Sequence, residues 1–185
     1  NLVFSAAMDH PFKKNPDHHI SGGFQLGVIH KSVNMEKLYF STQYNSNNGG
    51  GFNTDISSGE NFSNASIILP ESNLGVMYFY SNPQKRVNPF IGFSAFHLTE
   101  PKESFFGIDN RLPRRYLLHA GTKININEKI QLLFHSLAMQ QINDREIVNT
   151  LLAHYFLQAS DVFLLAGATY RNQDAIVAHL GLKYA

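Results

Sequence analysis

The feature that most constrains this chain is an alternation of apolar and polar residues with a period of two. Between Arg115 and Ile126 the even-numbered residues are mostly apolar, whereas the odd-numbered residues are mostly polar or glycine. Successive side chains of a β-strand point to opposite faces, so this pattern predicts a strand with one apolar and one polar face. At about twelve residues it is roughly twice the usual strand length of globular proteins.

The same period recurs along the rest of the chain. Leu151–Ala153 would also fit a helix, but the alternation on either side of it favours a strand. We therefore predict about ten strands: Leu2–Met8, Gly22–Lys31, Lys37–Tyr44, Asn73–Ser81, Pro89–Leu98, Arg115–Ile126, Lys129–Gln140, Glu146–Gln158, Val162–Arg171 and Ile176–Tyr184.

Composition bears on how such strands would meet a membrane. No run of apolar residues approaches the roughly 18 needed for a transmembrane helix, which excludes that kind of span. A transmembrane strand needs only about 9–11 residues. Charged residues make up 16% of the chain, where soluble domains are nearer to about a quarter. The composition favours membrane strands, although a soluble β-sandwich would also fit it.

Charge and cysteine content exclude several functions. The formal net charge of +1 gives no field that would favour nucleic acid as a partner. The chain contains no cysteine, which excludes disulfide frameworks, cysteine zinc sites and thiol nucleophiles.

Glycines fall on the polar faces of the predicted strands. Gly121 shares a face with Lys123, and Gly181 shares one with His179 and Lys183. A missing side chain permits a bend and relieves crowding on the inside of a curved sheet. The pattern favours an antiparallel up-and-down β-barrel, and a sandwich with glycines at bulges is the alternative.

The connections between predicted strands differ in length. Asn127–Lys129, Gln158–Asp161 and Asn172–Asp174 are short polar turns. Asn45–Asn64, Ser81–Pro89 and His97–Tyr116 are longer. Short turns at one end and long loops at the other are typical of transmembrane barrels.

Catalytic and metal-binding patterns are weak. The nine histidines lack His-x-His or His-Glu-x-x-His spacing. His135 and Ser136 form the nearest hydrolase-like pair, but adjacent strand residues face opposite sides and cannot pair directly. We predict no catalytic residue, no metal site and no cofactor, and keep an outer-membrane lipid hydrolase built on these two residues as a third alternative.

Two sets of residues are candidates for binding. The long loops combine acidic, basic and aromatic residues, which are common at docking surfaces. The polar strand faces carry cations that would line a lumen, which makes a passive pore or small-ligand transporter the leading alternative function. The loop set is Phe105, Phe106, Arg111, Arg114, Arg115, Glu60 and Phe62; the lumen set is Lys123, Arg171, His179 and Lys183.

Five segments carry a resemblance to a known family: "GGFQLGVIHKSVNMEKLYFSTQY", "SGENF", "NPFIGFSAFHLTEPKESFF", "RLPRRYLLHAGTKI" and "FLLAGATYRNQDAIVAHLGLKY". They occur in family order between Ile20 and Tyr184. With them the chain resembles the PorP/SprF family, outer-membrane proteins of the type IX secretion and gliding-motility machinery.

The resemblance implies a non-enzymatic barrel in the Gram-negative outer membrane, surrounded by its lipid. It also implies partners: the periplasmic ring and lipoprotein components of the machine, its peptidoglycan-linked protein, and secreted adhesins with a C-terminal sorting domain. The barrel would anchor the machine or bind that cargo.

The chain also departs from the family pattern. Family members are longer and begin with a signal peptide, and His135 stands where proline is common. We therefore expect residues 1–185 to form a single outer-membrane β-barrel domain that is incomplete at both ends, because unpaired strand edges are not tolerated in lipid.

Overall fold

The computed structural model describes residues 1–47, 50–158 and 160–184. Asn48 and Gly49 of the predicted loop Asn45–Asn64, and Ala159 of the predicted turn Gln158–Asp161, lie outside these ranges. One antiparallel sheet of nine strands dominates the described structure. Its strands are β1 (Leu2–Phe12), β2 (Asn15–Ser32), β5 (Ser66–Tyr80), β6 (Val87–Phe96), β7 (Arg115–Asn125), β8 (Ile130–Gln141), β9 (Asp144–Leu157), β10 (Val162–Arg171) and β11 (Ala175–Tyr184).

The remaining elements lie between β2 and β5. They are two short 3-10 helices, Met35–Lys37 and Ser41–Gln43, and a two-stranded sheet formed by β3 (Tyr44–Asn45) and β4 (Gly51–Phe52). No helix in the described ranges is long and apolar enough to cross a membrane.

Strands of the large sheet follow one another in chain order, and each pairs antiparallel with the next. The predicted all-β, up-and-down arrangement is thereby confirmed, with β1 and β11 as the two edges of an open wall. The sandwich alternative is wrong, since the other sheet in the described ranges has strands of only two residues. The strand interpretation of Leu151–Ala153 is confirmed, because these residues lie inside β9.

The predicted strand Lys37–Tyr44 is wrong. This segment ends one 3-10 helix, contains a second and only then enters β3. Asn34 caps the first helix by accepting a hydrogen bond from the backbone N–H of Glu36 at 3.1 Å. The alternating side chains of Leu38 and Phe40 are half-buried within the connection, so the pattern reflects packing inside a loop instead of pairing in a sheet.

The two faces of the large sheet differ in character. One face, here called the outer face, carries exposed apolar side chains such as Leu74, Phe93 and Leu118, the last 48% exposed. Among the aliphatic and aromatic residues of the described ranges, Leu69 and Ala95 are the buried ones. A continuous apolar surface of this extent is typical of a protein that meets lipid or a partner.

Tyrosines mark both ends of the outer face. Every tyrosine in the large sheet lies on this face, at the end of its strand or within two residues of it. Transmembrane barrels place aromatic girdles at both membrane boundaries because these side chains combine an apolar ring with a polar tip. The tyrosines are Tyr78, Tyr80, Tyr155 and Tyr184 at one end and Tyr116 and Tyr170 at the other.

The opposite, inner face is crowded where the glycines lie. A Cβ atom on Gly121 would collide with the Phe134 carbonyl oxygen and the Phe90 ring, and one on Gly92 would collide with the His119 ring. The predicted relief of crowding is confirmed at Gly121, where a side chain has no room. It is not found at Gly181, where the nearest atom to a Cβ atom would be 3.9 Å away.

Candidate functional site

The two long connections of the large sheet emerge at the same end. Four connections at one end are short, the longest being residues 81–86. Residues 33–65 and 97–114 leave the sheet at the other end, together with two short turns. The predicted separation of short and long connections is confirmed for these two loops. It is wrong for the short turn Asn172–Asp174, which lies at the same end as the long loops. It is also wrong for Ser81–Pro89, which reduces to a short turn at the opposite end because β6 already begins at Val87.

The two loops are bonded to each other through their backbones. The N–H groups of Ser63 and Asn64 both donate to the carbonyl oxygen of Phe105, at 2.8 and 3.1 Å. Lys31, at the end of β2, forms an ion pair with Glu103. We call residues 33–65 and 97–114 together the loop unit, since these bonds hold them in one arrangement.

Aromatic rings form the centre of the loop unit. The ring of Phe106 stacks on that of Phe62 with a centroid distance of 4.6 Å, and Phe62 lies 6.3 Å from Phe40. Gly107 follows with a positive φ of 75°, and two features of this position require a residue without a side chain. The conformation favours glycine, and a Cβ atom would lie 2.8 Å from the Ser63 hydroxyl oxygen.

The loop of residues 97–114 has its own internal structure. The Glu103 N–H donates to Asn110 O at 2.7 Å, and the Leu112 N–H donates to Pro101 O at 2.9 Å. These bonds fold the loop back on itself as an irregular hairpin. Pro101 and Pro113 flank it, and proline cannot donate a ladder hydrogen bond, so strand pairing stops before the hairpin and resumes after it.

His97 sets the direction in which this loop leaves β6. It adopts a positive φ of 57°, a region that non-glycine residues occupy only when their surroundings hold them there. Its Nδ1 lies 2.9 and 3.0 Å from the two carboxylate oxygens of Glu71. Its backbone N–H donates to the side-chain oxygen of Asn73 at 3.0 Å. Two side chains of β5 thus fix the first residue of the loop.

A ladder of polar side chains continues from this point across the inner face. Asn73 donates to the Gln25 side-chain oxygen at 3.2 Å, and Gln25 donates to the Ser5 hydroxyl at 3.1 Å. We call Ser5, Gln25, Asn73 and His97 the polar ladder. It connects the loop unit to three neighbouring strands.

Three of the predicted loop residues come together in the structure. Phe62, Phe105 and Phe106 all lie at the contact between the two loops. Glu60 lies on the same loop as Phe62, and its backbone N–H donates to the Ser58 hydroxyl at 3.2 Å.

The predicted arginines are spread around the base of the loop unit. Arg111 pairs with Asp109 at 3.4 Å, and Arg114 pairs with Glu100 at 3.1 Å. Arg115 lies on the inner face of β7, where its Nε donates to the Gln141 side-chain oxygen at 3.3 Å. The structure therefore brings the aromatic residues together and leaves the arginines apart.

Two residues that support the loop unit, Gln43 inside it and Glu71 on β5, are not among the predicted site residues. Gln43 is 6% exposed and donates to the Ile56 carbonyl oxygen at 2.8 Å, so it supports the interior of the loop. Glu71 is 7% exposed and holds His97. Glu71 lies two residues before the predicted strand Asn73–Ser81, and its charge is its one sequence signal, because a buried charge needs a partner. Gln43 gives no such signal.

The predicted lumen residues all lie on the inner face. Arg171 is paired with Glu146 at 2.8 Å and with Asp174 at 2.9 Å. His179 Nε2 is 2.8 Å from the Thr169 hydroxyl. Lys183 lies over the ring of Phe163, 5.7 Å from its centroid. Lys123 is exposed, and it pairs in register with Asn88 and Leu133.

Histidines do not gather into a metal site in the part of the chain that the structure describes. His119 and His135 approach most closely in aromatic contact, with ring centroids 5.7 Å apart. The registers of β7 and β8 place His135 opposite Gly121 on the inner face and Ser136 opposite Ala120 on the outer face. The two hydrolase-like residues therefore face opposite sides, as their adjacency in the sequence predicts.

An antiparallel wall with an apolar outer face, aromatic residues at both of its ends and a polar inner face defines a membrane protein of the β-barrel class. The family model of the type IX secretion system membrane protein PorP/SprF matches residues 1–185, and the chain belongs to this family. No curated protein matches the chain, and no solved structure matches it.

Proposed function

We propose that this chain is a non-enzymatic outer-membrane component of the type IX secretion and gliding machinery, and that its loop unit binds a protein partner. Residues 1–185 belong to one outer-membrane β-barrel domain. The partner at the loop unit is the C-terminal sorting domain of a secreted adhesin. Anchoring contacts are made with periplasmic ring, lipoprotein and peptidoglycan-linked components.

The observation that carries the proposal is the folding of two long loops into one unit at one end of the wall. A loop that served only to connect strands would need just a few residues, as the turns elsewhere in this sheet demonstrate. Rigid scaffolds that present ordered loops are typical of recognition surfaces. Exposed charged side chains of the same loop unit, among them Lys102, Arg111 and Arg114, supply polar contacts in addition to the Phe62–Phe106 stack.

The test separates packing from partner contact. Intact protein is isolated from outer membranes, and the proteins that accompany it are identified for the wild type and for Arg111→Ala/Arg114→Ala. The matched control is Arg145→Ala, an exposed arginine of β9 at the same end of the wall. Loss of secreted cargo from the double variant alone, with unchanged heat-modifiable migration, is the expected result. If the double variant retains all of the cargo, Arg111 and Arg114 do not contribute to partner binding.

A passive pore is the second candidate, and the polar inner face is what favours it. Lys123, Arg171, His179 and Lys183 would line its lumen. Conductance of the purified protein in planar bilayers is the direct measurement. An anion-selective current that is smaller in the Lys123→Gln variant than in the wild type would support a pore. The absence of any current at high protein concentration would count against it.

A further inference from the structure

A cavity of about 810 Å³ lies at the end of the wall opposite the loop unit. It opens on the inner face, beneath the turn of residues 81–86. Its lining combines the aromatic residues Phe79, Phe90 and Phe163 with the basic residues Lys123 and Lys129. We call it the turn-end cavity.

The wall of the cavity is held in place by amide side chains. The Asn125 amide donates to the Lys85 carbonyl oxygen at 3.0 Å, and the Asn88 amide donates to the same oxygen at 3.2 Å. Gln131 in turn donates to the Asn125 side-chain oxygen at 2.8 Å. These bonds fix the turn of residues 81–86 over the inner face, so the cavity is preformed.

Some cations of the protein form ion pairs, whereas the lysines at this cavity belong, with Lys14, Lys85 and Arg145, to those of the described residues that form none. Arg114, Arg171 and Lys102 all form ion pairs near the long-loop end. Among the described residues, Lys123, Lys129 and Lys183 form no salt bridge within 4.0 Å. Lys183 is not on the cavity lining, but its Nζ lies 5.7 Å from the ring centroid of Phe163, which is on that lining.

One acidic residue, Glu128, is on the described lining of the cavity. The surroundings of the three lysines are therefore cationic and aromatic together. Cations without a protein partner that stand beside apolar rings complement a ligand with carboxylates and apolar side chains.

We propose that the turn-end cavity binds an acidic peptide segment that also carries aromatic or large apolar side chains. Carboxylates of the peptide meet Lys123, Lys129 and Lys183, and its apolar side chains contact the phenylalanine rings. The inner face favours a peptide over a membrane lipid, because the apolar surface suited to lipid chains is on the opposite face of the same strands. This inference goes beyond the proposed function, which places partner contact at the loop unit.

The experiment uses the purified protein in uncharged detergent micelles and a short fluorescent peptide of glutamate and phenylalanine. Binding is followed by fluorescence anisotropy. We expect saturable binding that weakens as salt is raised, and an affinity at least about tenfold lower in Lys123→Gln/Lys129→Gln, since each lost charged contact has a cost. Lys13→Gln/Lys14→Gln is the matched control. It also removes two charges, from the turn between β1 and β2 at the same end, and neither Lys13 nor Lys14 is on the cavity lining.

Two further probes make the outcome decisive. A peptide of glutamate and serine is expected to bind more weakly, because it lacks the rings that would contact Phe79, Phe90 and Phe163. A peptide of lysine and phenylalanine is expected not to bind. Equal binding of the acidic peptide to wild type and Lys123→Gln/Lys129→Gln would overturn the proposal, as would its complete displacement by anionic phospholipid added to the micelles. Charge reversal in Lys129→Glu provides an independent variant, and heat-modifiable migration establishes that each variant is folded.

Discussion

Phe62 and Phe106 stack across the gap between two loops that are far apart in the sequence, with ring centroids 4.6 Å apart. A stacked aromatic pair contributes about 0.5–1.5 kcal/mol beyond the burial of its surface. The pair lies next to the backbone bonds from Ser63 and Asn64 to Phe105. Side-chain and backbone contacts therefore join the loops at one place.

Truncation of this pair should release the loop of residues 97–114 without unfolding the wall. In Phe106→Ala we expect faster trypsin cleavage at Lys102 and Arg111, because the loop opens more often. Ile108→Ala is the control, since Ile108 is 63% exposed on the same loop and forms no comparable contact. Identical cleavage rates in Phe106→Ala and the wild type would contradict the stacking interaction.

A second prediction concerns Gly107. Gly107→Ala should destabilise the loop contact for two reasons: its φ of 75° and the 2.8 Å approach of a Cβ atom to the Ser63 hydroxyl. Gly59→Ala is a matched control, because Gly59 has a φ of 78° but no atom within 4 Å of a Cβ atom. Strain alone costs about 1 kcal/mol. Hydrogen exchange of the loop amides should increase more in Gly107→Ala than in Gly59→Ala, and equal increases would argue against packing on Ser63.

The contact between Glu71 and His97 leads to a third prediction. Glu71→Gln keeps the shape of the side chain but removes its charge, and we expect a loss of about 1–3 kcal/mol in the free energy of unfolding. His97→Asn should cost less, because asparagine tolerates a positive φ. The double variant should be more stable than the sum of the two single losses predicts, because the two residues share one interaction. Strict additivity in thermal unfolding would mean that they are not coupled.

Glycines on the inner face provide a fourth prediction. Gly121→Ala should lower stability by about 1–3 kcal/mol, the usual cost of overpacking, since its Cβ atom meets the Phe134 carbonyl oxygen and the Phe90 ring. Gly22→Ala is the control on the outer face, where the nearest atom to a Cβ atom is 3.9 Å away. The stability of each variant is measured as the temperature at the midpoint of its heat-modifiable shift in gel migration. Equal midpoint temperatures for Gly121→Ala and Gly22→Ala would contradict the crowding at Gly121.

The large sheet could be predicted from the sequence, because the alternation of apolar and polar residues follows from the different surroundings of its two faces. β7, predicted as Arg115–Ile126, is observed as Arg115–Asn125. The starts of β2 and β5 were predicted too late, since polar and proline residues there interrupt the alternation while the backbone continues to pair.

The loop unit was less accessible from the sequence. The alternation of Lys37–Tyr44 reports which side chains are partly buried, and here they pack against other residues of the same loop, such as Phe62. The contacts of Phe106 with Phe62 and of His97 with Glu71 depend on which residues of separate segments meet in space. Aromatic composition identified Phe62, Phe105 and Phe106 as candidates, but it could not identify Gln43 or assign Glu71 its partner.

The polar ladder also determines the register between neighbouring strands, which the alternation of apolar and polar residues does not fix. A shift of two residues between neighbouring strands returns every apolar side chain to the outer face, so the pattern alone permits several alignments. Such a shift moves each side chain by about 7 Å along its neighbour, far beyond hydrogen-bond reach. Ser5, Gln25, Asn73 and His97 can be bonded together in only one of those alignments. Their side chains therefore select one alignment of β1, β2 and β5 from a set that the hydrophobic effect treats as equivalent.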